Sequence, residues 1–351
     1  MAKRSQKRQR GYSLVELIVA MALATLVLAA AMMMLTKAMD ATAMVTQRAE
    51  MQQNARTAIS FLSRDLSLAA TGFPQGGIQL PTGAGSTAPK FACNAAAGCY
   101  LAINQYPNAL MTGIVPNPNG GPMQLGVQTR AVTVVYLDNT LPLNTFPLTA
   151  INAAGTQITF AAGYNPPIND PVVGLQVGDV LYVQNANGTA VGEITGIAGN
   201  VITFGNLDPL NVNQSGAAAG NVKSLANPSP PAAAGTYPQT SAYRLNVITY
   251  FIQVTAAGTP RLMRQVNAQQ AVPIADNIEN LQLTFDIFDD NTGVATANLP
   301  DANNKPNQIR QVNIAVTART SARIKQLGDF QRLTLGTSVV PRNLSFRDRY
   351  Q

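Results

Sequence analysis

Residues 11–36 read GYSLVELIVAMALATLVLAAAMMMLT. From Leu17 to Thr36 there are twenty residues without a charge, and Glu16 is the one ionised group at their border. At about 1.5 Å per helical residue, twenty residues span the roughly 30 Å hydrocarbon core of a bilayer. Five basic residues, Lys3, Arg4, Lys7, Arg8 and Arg10, precede this run. Lys and Arg beside a membrane segment stay cytoplasmic, which places the carboxyl-terminal bulk on the far side of that membrane. An ordinary secretory signal has a shorter apolar core, with its cleavage site behind it.

Working outward, Tyr12 to Thr71 is sixty residues with neither glycine nor proline, while the 280 residues after it hold 26 of the 27 glycines and all 22 prolines. Ala, Met, Leu, Gln and Arg dominate the first stretch and favour helix. The pattern predicts one helix from about Ser13 to about Ala70, ended by Gly72 and Pro74. Past Thr36 it turns amphipathic. Met44, Met51, Ala55, Ala58, Leu62, Leu66 and Ala69 recur at helical spacing, and Arg48, Glu50, Arg56, Arg64 and Asp65 occupy the other faces. The stripe predicts packing on the chain's own globular domain, with an intermolecular coiled coil as the alternative.

The formal charge of +7 includes the five leader charges, so the chain from Tyr12 onward carries 7 − 5 = +2. The basic pI is therefore largely a feature of the leader. There is no histidine. That excludes Ser-His and Cys-His catalysis and histidine-ligated metals, and no phosphate-binding glycine loop followed by Lys-Ser/Thr occurs. Neither an enzyme nor a cofactor is expected.

Gly11-Tyr12-Ser13-Leu14-Val15-Glu16-Leu17, behind its basic leader, resembles the class III signal of type IV pilins and type II secretion pseudopilins. The resemblance implies that a prepilin peptidase cuts between Gly11 and Tyr12 and methylates the new amino terminus. Glu16 then becomes the fifth residue of the mature chain. The family usually has Phe where this chain has Tyr12, and the aromatic ring is kept. A carboxylate at the edge of the hydrocarbon costs several kcal/mol unless paired, neutralised or able to reach the headgroups. In a filament, the resemblance implies pairing of Glu16 with the amino terminus of a neighbouring subunit.

Gln52-Gln53-Asn54-Ala55-Arg56-Thr57-Ala58-Ile59, then Leu62-Ser63-Arg64-Asp65-Leu66 and Gly72-Phe73, resembles minor pilins of the PilW type, related to pseudopilin J of type II secretion. An inserted Ala-Thr at residues 70–71 departs from their helix end. The likeness returns in residues 243–345: a strand at Tyr243–Val254 pairs with Pro260–Val266, Asp276–Asp286 feeds another strand, Arg310–Arg319 alternates, and Ser338–Leu344 closes the domain.

The intervening chain is read from its own pattern. Residues 75–122 are rich in Gly, Pro, Ala and Asn and contain Cys93 and Cys99. Five residues between two cysteines in an oxidising compartment suit a disulfide closing a small loop. Runs at 131–137, 156–160, 177–183, 191–195 and 201–204, with an Asn187-Gly188 turn, read as a small antiparallel meander. Asp286, Asp289, Asp290 and Asn291, ahead of Gly293, offer oxygen ligands for calcium, although their spacing does not match the helix-loop-helix motif.

The expected fold class is α+β. A long amino-terminal helix, transmembrane in its first half and amphipathic in its second, packs on a mainly antiparallel β-rich domain with long loops. The expected divisions are a leader (1–11), a transmembrane half-helix (12–36), an amphipathic half-helix (37–71), a loop-rich segment with the cysteine pair (72–125), a β insertion (126–212), a Gly/Pro/Ala loop (213–240) and a β core (241–351). The expected function is a non-enzymatic minor pilin, stored in the inner membrane and then assembled into a type IV pilus in an initiating or tip role. Its amino terminus would be cytoplasmic and its domain periplasmic, then at the cell surface. Expected partners are prepilin peptidase, other pilins and the inner-membrane assembly platform. The alternatives are a type II secretion pseudopilin and a DNA-uptake pilin. The last rests on eight basic residues against two acidic ones between Arg310 and Gln351.

Overall fold

The computed structural model describes residues 11–72, 74, 77–81, 89, 93–94, 98–99, 110–117, 120–146, 148–226, 239–288, 293, 295–298, 308–324 and 328–344. One helix, Leu14–Ser67, runs for 54 residues, about 80 Å. Ser13 caps it: the Val15 N–H donates to Ser13 Oγ, and the Ser13 N–H donates to Glu16 Oε2 at 3.0 Å. Every large apolar side chain from Tyr12 to Met39 is more than half exposed. From Met51 onward one stripe is buried, formed by Met51, Ala55, Ala58, Leu62, Leu66 and Ala69. Full burial of a leucine such as Leu62 or Leu66 stabilises the fold by about 1.5–3 kcal/mol.

The helix stops three residues earlier than its pattern predicts. Leu68 caps it, and Ala70 takes the left-handed conformation at φ +61° before Gly72 does. That end is tied to the sheet: the Ala70 N–H donates to Val135 O, and the Leu137 N–H to Thr71 O, both at 2.9 Å. Gly113 lies against this corner. A Cβ at Gly113 would sit 2.5 Å from the Ala70 Cβ and 2.7 Å from its backbone nitrogen. Gly113→Ala is therefore expected to destabilise the domain by about 1–3 kcal/mol, read as a lower denaturation midpoint.

Among the described residues three main sheets follow, all antiparallel. The large sheet is built on Ser241–Val254. One edge of that strand pairs first with Val180–Asn185 and then with Pro260–Val266, and the other edge pairs with Ala131–Asp138. Gly188–Glu193, Val272–Asp276 and Ile114–Asn117 lie outermost. A smaller sheet has the order Gly196–Ala198, Val201–Thr203, Gln157–Phe160, Leu148–Ile151. The carboxyl-terminal sheet has the order Ala295–Asn298, Ile278–Phe288, Ile309–Arg319, Arg332–Val339.

The runs expected as one meander thus divide between two sheets, and Ile114–Asn117 supplies a sheet strand from the segment read as loop. The closing strand is Arg332–Val339 instead of 338–344, because Pro341 has no N–H to continue a ladder and residues 342–344 turn away. The helix stripe shares one core with Ile248, Tyr250, Leu281, Phe285, Val312, Ile314 and Val316. Leu141, Phe160, Ile202 and Phe204 belong to a second core beneath the small sheet.

Candidate functional site

Two parts of the long helix carry chemistry. At its start, the Ser13-x-x-Glu16 spacing forms a reciprocal capping box, a signal present in the sequence but not read there. The Glu16 carboxylate accepts a local backbone hydrogen bond and stands exposed at the head of the apolar sleeve. Gly11 and Tyr12 are also exposed, and nothing lies within 4 Å of where a Gly11 Cβ would be. Leu14–Ser67 is long and apolar enough to cross a membrane, with a mean hydropathy of 2.5 over its most apolar window.

At its far end the helix is locked to the β-domain by a charge that the sequence reading assigned to an outer face. Asp65 is fully buried. Its Oδ2 accepts from Tyr250 Oη at 2.6 Å and from Arg264 Nε and Nη2, both at 3.0 Å. Its Oδ1 meets Arg64 Nε at 3.1 Å, and Arg264 Nε also donates to Tyr250 Oη at 3.1 Å. Burial and the Asp65 charge push the Tyr250 phenol well above its ordinary range, so it stays a donor. The Arg264 guanidinium is held above its usual value by Asp65 and Tyr250, against the opposing effect of its own burial.

A second buried acid organises the carboxyl-terminal arginines. Glu279, 2% exposed, receives Arg332 Nε at 2.6 Å and Nη2 at 3.4 Å, with Arg319 Nη1 at 3.6 Å. Arg332 also meets Asp329 at 2.8 Å. Hydrogen bonding to Glu279 and Asp329 raises the Arg332 pKa. Arg319 stacks 4.1 Å over Phe330, and Arg323 lies 5.6 Å from the same ring. Arg310 donates to Leu344 O at 2.6 Å. Arg310, Arg319 and Arg332 are thus engaged within the fold, while Arg323 and Arg342 are exposed. Lys325, Arg347 and Arg349 lie outside the described residues.

Of the calcium candidates, Asp286 is on strand Ile278–Phe288 and accepts from Asn313 Nδ2 at 3.0 Å. Asp289, Asp290 and Asn291 lie outside the described residues, as do the leader basics and Phe73. The backbones of Cys93 and Cys99 are register partners of a two-residue ladder. Their side chains lie outside the described part, so the disulfide stays an expectation. Among the described residues, no cluster of three or more His, Cys, Asp or Glu suited to a metal occurs.

A helix long and apolar enough to cross a membrane, a glycine-led signal and an antiparallel domain are the features of a pilin-like protein. Residues 6–32 match the prokaryotic N-terminal methylation motif, and residues 249–349 match type IV pilus-assembly protein W. Together these matches support a type IV minor pilin, processed by prepilin peptidase and assembled with other pilins. No curated protein and no solved structure matches the chain. The two matched families point to a structural, non-enzymatic role.

Proposed function

We propose that the chain is a minor pilin that starts or tips a type IV pilus. It waits in the inner membrane with its amino terminus cytoplasmic and is cut between Gly11 and Tyr12. It then enters the filament through its apolar half-helix, with Glu16 pairing with the amino terminus of the adjacent subunit. The observation that carries this reading is the division of one helix. Among the described residues its first half has no cover, and its second half is locked to a large β-domain through Asp65. Some 280 residues beyond the helix are bulky for the repeating subunit of a thin filament, which favours a rare position.

Deleting the gene and scoring sheared surface pili alongside secreted proteins tests it. Loss of pili with normal secretion is the expected result. Loss of secretion with intact pili would assign the chain to a type II secretion pseudopilus and overturn the proposal.

A further inference from the structure

Outside the helix and its dock, the large sheet carries an acid pair that the assembly reading does not use. Glu193 ends the outermost strand Gly188–Glu193 and is 2% exposed; Asp208, in the segment crossing beside it, is 3% exposed. Glu193 Oε2 accepts from the Leu210 N–H at 3.0 Å. The Asn213 side chain brackets the Glu193 backbone, accepting from its N–H at 2.8 Å and donating to its carbonyl at 2.7 Å. Asp208 turns the segment by accepting from the Val212 and Asn213 N–H groups, both at 2.9 Å. The three bonds to Glu193 hold residues 206–220 against the sheet, and the two to Asp208 shape the segment itself.

The segment is also strained. Leu207, 96% exposed, and Asn211 both adopt left-handed backbone, at φ +71° and +51°. Such residues persist only when their surroundings over-determine them. The buried anchors are Leu210 and Val212, which share a core with Val180 and Val191. At its far end, Gly220 O accepts from the Val191 N–H on the edge strand.

We propose that a proton on Glu193, held in its side-chain hydrogen bond to Asp208, latches residues 206–220 over the edge strand Gly188–Glu193. Two buried acids joined by a side-chain hydrogen bond do not both ionise without strong repulsion. Asp208 is the acid facing Glu193. The strand partner of Glu193 is the apolar Val180, and the nearby Asp179 instead engages Arg244 and Asn267. On the same strand the Tyr182 hydroxyl donates to Gln184. No described cation closes on the pair to take the place of the proton.

Burial, with Asp208 adding to it, pushes the Glu193 carboxyl up to about 8, from the 4.5 of a solvated glutamate. The closed segment therefore holds more proton than the open one between those two values. Closure is strongest below about pH 4.5, weakens through the interval and levels off above about pH 8. One pH unit is worth a factor of about ten in the opening equilibrium.

Hydrogen exchange at the amides of Leu210, Val212 and Asn213 reads this directly, in the full chain in detergent. Dividing wild-type rates by those of Glu193→Gln at each pH cancels the intrinsic chemistry of exchange. The expected ratio climbs about tenfold per pH unit from about pH 5 and flattens near pH 8. Should Glu193→Gln not fold, rates divided by the intrinsic rates of an unstructured chain serve instead, and in Asp208→Asn, which removes the acid that adds to the Glu193 shift, the plateau should move to lower pH. A ratio flat across the range, or an unmoved plateau in Asp208→Asn, overturns the latch. Calcium chloride restoring protection at pH 9 in wild type, but not in Glu193→Gln, overturns it in favour of a cation site.

Discussion

Asp65→Ala is expected to cost about 3–5 kcal/mol of unfolding free energy, the range for removing one partner of a buried ion pair. The loss comes from what remains. Arg264, with its side chain 17% exposed, keeps a charge without its acceptor, and Tyr250 keeps a buried hydroxyl that pointed at Oδ2. The truncation also frees the only charged contact between the helix end and strand Pro260–Val266 among the described ion pairs. Urea unfolding of the full chain in detergent, followed by circular dichroism, checks it. Arg64→Ala is the control. That side chain is 62% exposed, so its pair with Asp65 is worth at most about 1 kcal/mol. Equal losses for the two variants would contradict the assignment of Asp65 as the dock.

Glu279→Ala is expected to cost about 3 kcal/mol, at the lower end of the same range, because Arg332 retains a 26% exposed side chain. Glu279 is the acid on which Arg332 and Arg319 converge, and its removal leaves two guanidinium groups facing one another beside Phe330. Arg332→Lys should recover the charge but not the two-nitrogen contact, so it should fall between wild type and Glu279→Ala. The same unfolding experiment reads both variants. A change below about 0.5 kcal/mol in Glu279→Ala, the usual span of surface substitutions, would return these arginines to the solvated surface.

The long helix was legible because its signal is local: sixty residues without a breaker, twenty without a charge, then a stripe at helical spacing. The carboxyl-terminal strands were legible for a similar reason, since Val312, Ile314 and Val316 alternate into the core. Ala131–Asp138 was recognisable as a strand but not as a partner of Ser241–Val254. Its first five residues are all buried, so no alternation marks which neighbours it has.

Asp65 was misread for a physical reason. A carboxylate between Leu62 and Leu66 looks solvent-facing until its partners arrive from 185 and 199 residues away. Glu279 hid in the same way, its Arg332 lying 53 residues further on. Helical spacing does put residue 65 on the buried stripe with 58, 62 and 69, and what the local sequence lacks is the identity of the partners that neutralise it. At the amino terminus the reverse holds. The candidate processing residues Gly11 and Tyr12 have no fold around them to explain, so only the motif points to them.

The intact mass of this chain, recovered from filaments sheared off living cells, tests the central claim most directly. The account predicts a chain that begins at Tyr12, carries one added methyl group and lies in the filament fraction. A chain that retains residues 1–11 and is found only in the inner membrane would contradict it.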